Sequence, residues 1–192
     1  DGPLTSLHFL ETVAGLKPDE RVLILGGSGS LGSAAVQISK AMGARVTATC
    51  STRNVDLLLS LGADRVIDYT AEDALSGNDK HDVIYDTLGI ASFRKAATAL
   101  GPEGRYVCPV LSLTLLGAML RTGLIGRRKA KFSAAGLQKP AVLRPLLTRL
   151  LGLIENRSLV PLLDRTYPLA DLIEAHRYME TGHKRGNVVA VT

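Results

Sequence analysis

Short apolar runs alternate along the chain with longer stretches in which apolar residues recur every three or four positions. The runs Arg21 to Leu25, Arg45 to Thr49, Arg65 to Asp68, Asp82 to Asp86 and Arg105 to Val110 read as strands. Between them, Leu31 to Met42, Val55 to Leu61 and Phe93 to Leu100 carry the helical period. Each stops near a glycine, Gly43, Gly62 or Gly101, as helices that turn back into a strand commonly do. This alternation predicts βαβ units and a parallel sheet covered on both faces.

Ahead of the first strand, Leu4 to Leu16 has an amphipathic pattern that ends in the turn signal "KPDE". Past the fifth strand, Leu113 to Gly126 fits a short helix or a loop, Lys129 to Ser133 a sixth strand, and Ala141 to Glu155 a helix with leucines on one side. The tail from Leu159 reads strand, helix (Leu169 to Thr181), strand. The predicted fold class is α/β: a doubly wound, parallel, six-stranded sheet in a three-layer αβα arrangement. No linker or low-complexity tract divides residues 1–192, so one domain is expected. Within it, residues 1–20 form a leading helix and turn, and residues 157–192 a C-terminal strand-helix-strand.

Composition narrows the function classes. A hydrophobic content of 46% is that of an ordinary globular chain. The longest apolar runs, such as Leu113 to Leu120, fall short of the roughly 20 residues that cross a bilayer, and Asp1 does not begin a basic-then-apolar leader. The expectation is no membrane and a cytoplasmic location. Cys50 and Cys108 lack metal-ligand spacing and read as buried thiols in a reducing compartment. Much of the net charge of +5 lies in "RTGLIGRRKAK", Arg121 to Lys131. That segment has no interleaved aromatic side chains on which bases could stack, which argues against nucleic acid and for a solvated surface or the neighbourhood of an anionic cofactor.

The chemistry concentrates at "VLILGGSGSLGS". Gly27, Gly29 and Gly32 spell G-x-G-x-x-G directly after a strand and directly before a helix, the context of the Rossmann dinucleotide fingerprint. Gly27 is expected to permit the tight turn, Gly29 to let backbone approach a pyrophosphate, and Gly32 to let the helix lie against the strand. The free amides at the helix start supply an anion site. A P-loop would need Lys and Ser or Thr after the last glycine, where Ser33 and Ala34 stand. The Tyr-x-x-x-Lys pair of short-chain dehydrogenases is missing too. Tyr69, Tyr85, Tyr106, Tyr167 and Tyr178 are followed at that spacing by Asp73, Gly89, Val110, Asp171 and Gly182.

At the end of the second strand an Asp or Glu would grip the ribose hydroxyls of NAD and repel a 2′-phosphate. Here "TATCSTRN" offers Ser51, Thr52 and Arg53, with no acid before Asp56. Hydroxyl donors and a cation suit a phosphate dianion, so NADP(H) is expected over NAD, with a merely solvated Arg53 as the alternative.

The stretch from "GLKPDERVLILGGSGSLGS" to "VIDYTAED", followed by "DVIYDTLG" and "EAHRYMETGHKRGNVV", resembles the cofactor half of the medium-chain dehydrogenase/reductases, especially the zinc-independent quinone oxidoreductases. The resemblance implies that Ser28, Gly29, Ser30 and Leu31 contact the pyrophosphate and that Ser51 and Arg53 hold the 2′-phosphate with Tyr69 nearby. It further implies that Val110 and Leu111 flank the nicotinamide and that Arg185 reaches the cofactor. Asn187 departs from the lysine usual in that last motif.

The resemblance also implies a GroES-like catalytic domain N-terminal to this chain that forms most of the substrate pocket. The implied reaction is hydride transfer from NADPH to a quinone or enone, with this chain inactive alone and carrying no catalytic residue. No zinc is expected: Asp1, Gly2 and Pro3 offer no cysteine ligand, and His8, His81, His176 and His183 lack metal spacing. Two other readings share the loop: the enoyl reductase unit of a polyketide or fatty-acid synthase, and a non-catalytic nucleotide-sensing or scaffold module. Family members dimerise through the edge strand, here Lys129 to Ser133. The charge in "GRRKAKF" equally suits an edge kept monomeric.

Overall fold

The computed structural model describes residues 2–182 and 184–192; Asp1 and His183 lie outside the described residues. Six parallel strands, β1 (Arg21–Leu25), β2 (Arg45–Cys50), β3 (Arg65–Asp68), β4 (His81–Asp86), β5 (Leu100–Val107) and β6 (Lys129–Lys131), form one sheet in the order β3-β2-β1-β4-β5-β6. Period-two alternation sends successive β1 residues to opposite faces. Val22 and Ile24 join a cluster with Leu7, Val36, Leu58 and Leu150, whereas Leu23 and Leu25 join Phe93, Tyr106 and Leu115. Helices α1 (Gly2–Leu7), α2 (Ser30–Ala41), α3 (Val55–Ser60) and α6 (Pro140–Glu155) therefore cover one face, and α4 (Phe93–Ala99) and α5 (Leu113–Leu124) the other. The result is the doubly wound three-layer arrangement predicted from the pattern.

Boundaries differ where pairing overrides the local pattern. β5 begins at Leu100, directly after α4, and ends at Val107, so Cys108 to Val110 leave the predicted strand. A register shift between His81 and Val83 leaves the polar "GPEG" segment bulged out of the pairing, with Leu100 opposite His81 and Arg105 opposite Val83. The stretch after β5 is a helix, α5, whose first turn is capped by Ser112 Oγ accepting from Leu115 N at 3.1 Å. β6 keeps only three residues of the expected sixth strand. The leading helix changes at Leu7 into π-helical turns, His8–Ala14, closed by Gly15 at φ 61°.

The tail forms its own two-stranded parallel sheet, β7 (Leu163–Pro168) with β8 (Asn187–Val191), connected through α7 (Leu172–Glu180). It is tied back at Gln37 and at the glycine loop. The Gln37 side chain donates to Val160 O at 3.1 Å and accepts from Val160 N at 2.8 Å. Gly186 N donates to Ser28 O at 2.9 Å, beside a bridge between Gly29 and Gly186. The second tie brings the C-terminal segment onto the glycine loop.

Candidate cofactor site

The loop that leaves β1 divides its labour among four glycines. The positive φ falls at Gly26 (80°), not at Gly27 as the motif suggested, so Gly26 makes the tight turn. Gly27 is small because it lies against β2: its N donates to Thr49 O at 2.8 Å, and a Cβ there would sit 2.8 Å from Leu58 Cδ1 and 3.0 Å from Ala48 Cβ. At Gly32 a Cβ would be 2.1 Å from Gly26 O, so this glycine lets α2 rest on the loop. Gly29 precedes α2, and a Cβ there would meet only Gly26 O at 3.6 Å. That side is open, and no side chain caps the first amides of α2.

Two adjoining crevices open at the carboxyl ends of the strands, where the chain order reverses between β1 and β4. In doubly wound sheets this is the position that takes ligands. The smaller, about 250 Å³, lies among Ser28 to Leu31, Cys50, Leu88, Met179 and Lys184. The larger, about 540 Å³, is walled by Thr49, Tyr69 to Leu75, Leu88 and Ile90. Gly26, Tyr69 and Leu88 belong to both.

The sequence-derived residues distribute unevenly around this space. Ser28, Gly29, Ser30 and Leu31 line the smaller crevice, whereas Gly27 and Gly32 shape it from beneath. Tyr69 is 61% exposed, and its N donates to Cys50 O at 3.0 Å, which holds it at the shared wall. Ser51 opens a 3-10 turn, Thr52–Asn54, and its O accepts from Asn54 N at 2.9 Å. Arg53 lies in that turn, and Arg185, 132 residues later, reaches it: Arg185 Nη2 donates to Arg53 O at 3.4 Å. The Arg185 guanidinium thus reaches the backbone of the turn that carries Arg53, at the end of β2. Val110 and Leu111 are 45% and 53% exposed and line neither crevice; Val110 packs against Gly89.

Asn187, the departure from the usual lysine, has a structural partner. Its Oδ1 accepts from Ser30 Oγ at 2.5 Å and its Nδ2 donates to Leu162 O at 2.9 Å, which fastens the tail to the first residue of α2. Beside it Lys184 donates to Gly186 O at 2.8 Å, and burial pushes its pKa down.

Two carboxylates escaped the sequence reading. Asp86, fully buried at the end of β4, accepts from Gly89 N and Ala91 N at 2.8 Å, from Leu88 N at 3.2 Å and from Tyr106 Oη at 2.8 Å. It therefore fixes the wall that carries Leu88 and Ile90. Burial and the Asp86 charge raise the Tyr106 pKa far above its usual value. The available signal was "DTLG", an acid at a strand end followed by a glycine turn. Asp68, at the end of β3, is in register with Cys50 and accepts from Thr52 Oγ1 at 2.5 Å and from Thr70 N and Oγ1 at 2.9 and 2.7 Å. Hydrogen bonds from Thr52 and Thr70 hold its carboxyl below the usual range. Burial, with the Asp68 charge, pushes the Cys50 thiol up to about 11.

Comparison with known proteins places this geometry. The family model described as zinc-binding dehydrogenase matches residues 61–189. The chain is 33% identical over 196 residues to the mitochondrial NAD(P)H oxidoreductase RTN4IP1 of Drosophila melanogaster, covering 93% of this chain and 47% of that protein. It is 32% identical over 180 residues to the 2-methylene-furan-3-one reductase of Solanum lycopersicum, covering 92% of this chain and 41% of that protein. The quinone oxidoreductase of Coxiella burnetii superposes with a TM-score of 0.84 at 29% identity, covering 98% of this chain and 58% of that one. The chain spans about half the length of the curated relatives it matches.

The family's name carries zinc, yet among the described residues no group of three or more His, Cys, Asp or Glu side chains stands where one ion could be held. No chemistry here is assigned to a metal. No helix among the described residues is long and apolar enough to cross a membrane. With the family model spanning well over half of its length, and a doubly wound sheet that superposes on a quinone oxidoreductase, the chain belongs to the zinc-binding dehydrogenase family within the medium-chain dehydrogenase/reductases.

Proposed function

We propose that this chain is the NADP(H)-binding domain of a reductase that passes hydride to a quinone or an enone. The observation that carries the reading is that the Arg185 guanidinium reaches the backbone of the turn that carries Arg53, beside a β2 end that offers Ser51 and no acid to a 2′-phosphate. The names of the fly and tomato relatives, an NAD(P)H oxidoreductase and a furanone reductase, support the same class of chemistry. When bound, the nicotinamide supplies the hydride.

The chain's own residues bind and orient. The first-turn amides of α2 and the open side of Gly29 receive the pyrophosphate, Ser51 and the two arginines the 2′-phosphate, and Tyr69 the space between the crevices. Val110 and Leu111, on the exposed stretch beyond β5, are assigned to the nicotinamide side. No residue here is assigned acid or base chemistry. Acceptor choice belongs to a GroES-like domain in the rest of the polypeptide, toward which residues 157–192 would pack. The outer edge of β6 is the proposed contact for a second copy. The fly relative's name carries a mitochondrial address, so of the expected cytoplasmic location we retain only the reducing environment that two free, buried thiols favour.

Fluorescence titration with NADPH and NADH tests the reading. NADPH should bind at least about tenfold tighter, the worth of one charge-assisted contact. Arg53→Ala and Arg185→Ala should each lower NADPH affinity and leave NADH affinity unchanged. Equal affinities that neither variant alters would overturn it.

A further inference from the structure

The glycine loop offers a pyrophosphate backbone amides but no cation. From Gly26 to Ser33 it holds only glycine, serine and leucine, and the start of α2 contributes about half an elementary charge. The hydroxyl of Ser30, the first residue of α2, is given to Asn187 Oδ1 and is not turned toward a phosphate. A full positive charge reaches this crevice from the other end of the chain. Among the described residues that line the smaller crevice, Lys184 is the one that carries a charge.

The fold fixes where that charge stands. Gly186 N donates to Ser28 O at 2.9 Å, Gly186 is bridged to Gly29, and its own O accepts from Lys184 Nζ at 2.8 Å. Gly186 takes a φ of 71°, and a Cβ there would lie 2.4 Å from Leu162 O, so this path of the tail requires glycine. The ammonium is therefore tied to the backbone that pairs with Gly29, the residue whose open side faces the crevice.

An ammonium has three N–H groups, and among the described residues Gly186 O takes one. Asp164, the acid whose charge favours protonation of Lys184, already accepts from Tyr178 Oη at 2.6 Å and from Arg185 N at 2.9 Å. Among the described residues Lys184 forms no ion pair. The crevice thus contains a half-buried cation, fixed at one proton and without a counter-charge, beside the uncapped amides of α2.

We infer that Lys184 is a cofactor-binding residue whose remaining ammonium protons are donated to the pyrophosphate. This rests on the proposed dinucleotide reading and adds a division of labour to it. Lys184 serves the part that NADPH and NADH share and sets affinity for both, whereas Arg53 and Arg185 serve the 2′-phosphate and set the choice between them.

The test compares wild type, Lys184→Met, Lys184→Arg and Arg53→Ala in the full-length polypeptide, by titration with NADPH, NADH and adenosine 2′-monophosphate, which has the 2′-phosphate and no pyrophosphate. Lys184→Met should weaken NADPH and NADH by the same factor, about tenfold or more, as loss of a charge-assisted hydrogen bond requires. It should leave adenosine 2′-monophosphate within about twofold, and Lys184→Arg should restore most of the loss by keeping the charge. Cofactor affinities within about twofold of wild type in Lys184→Met, a parallel fall for adenosine 2′-monophosphate, or an arginine variant as weak as the methionine one would overturn the inference and leave Lys184 as a brace of the tail. Should Lys184→Met lower the melting temperature, Lys184→Gln keeps a donor without the charge and reads the same comparison. The 2′-phosphate reading fails separately: wild type would then bind NADPH and NADH equally and Arg53→Ala would change neither, while Lys184→Met still weakened both.

Discussion

Two glycines of one motif should fail in opposite ways. In Gly32→Ala the new methyl carbon would lie 2.1 Å from Gly26 O and 2.6 Å from Gly27 Cα, both backbone atoms of a loop pinned to β2. Reaching even a 3.0 Å contact requires α2 to retreat by about 1 Å, pulling the buried Ala35, Val36 and Ile38 away from the sheet. Overpacking of this kind costs about 3 kcal/mol, and the better helix propensity of alanine returns about 1 kcal/mol. The net loss of about 2 kcal/mol corresponds to a drop of about 4–8 °C in Tm for a chain of this size.

Gly29→Ala places its methyl 3.6 Å from the nearest heavy atom, at an ordinary φ of −77°. Stability should stay within about 0.5 kcal/mol of wild type, the cost of a poorer helix cap. NADPH affinity should fall at least about tenfold because the methyl occupies the side on which the pyrophosphate approaches. Urea denaturation followed by circular dichroism, paired with NADPH titration, separates the two. The reasoning is refuted if Gly32→Ala is as stable as wild type, or if Gly29→Ala loses as much stability as Gly32→Ala.

Asp86→Asn should destabilise the chain by about 2–4 kcal/mol in the same urea experiment. It puts an amide donor against the amides and hydroxyl that Asp86 now accepts from. Limited proteolysis should then cut near residues 88–91 first. His81 gives a pH signature. Burial, helped by Arg21 and Arg65 and opposed by Asp79 and Asp82, pushes its pKa down to about 4 from an ordinary 6.5, and its Nδ1 has no partner. The unfolded chain takes up the proton that the folded chain refuses, so stability is lost as pH falls from about 6.5 to about 4, by at most about 3 kcal/mol. In His81→Gln the denaturation midpoint should vary less with pH across that window; an unchanged slope would dismiss the histidine as its source.

The alternation that predicts βαβ units survives folding because each strand and helix obeys its own period. Val22 and Ile24 against Leu23 and Leu25 already specify two buried faces. Boundaries moved where a neighbour decided: "GPEG" has no strand pattern of its own and is a bulge within β5, which starts early because Leu100 pairs with His81 of β4. In the glycine motif the spacing identifies the loop, but the assignment of the turn to Gly27 misses Gly26, since φ is set by how the loop meets β2.

Local pattern thus determined the layers, the order of strand and helix, the loop at the end of β1 and the missing acid at the end of β2. Tertiary structure alone decided that Arg185 meets Arg53 across 132 residues, that Asn187 ties the tail to Ser30 across 157, and that Asp68 stands beside Thr52. Periodicity and turn chemistry act over a few residues and leave their mark in the sequence. Which side chains share a crevice depends on strand order and register, and these are set by the packing of the whole sheet.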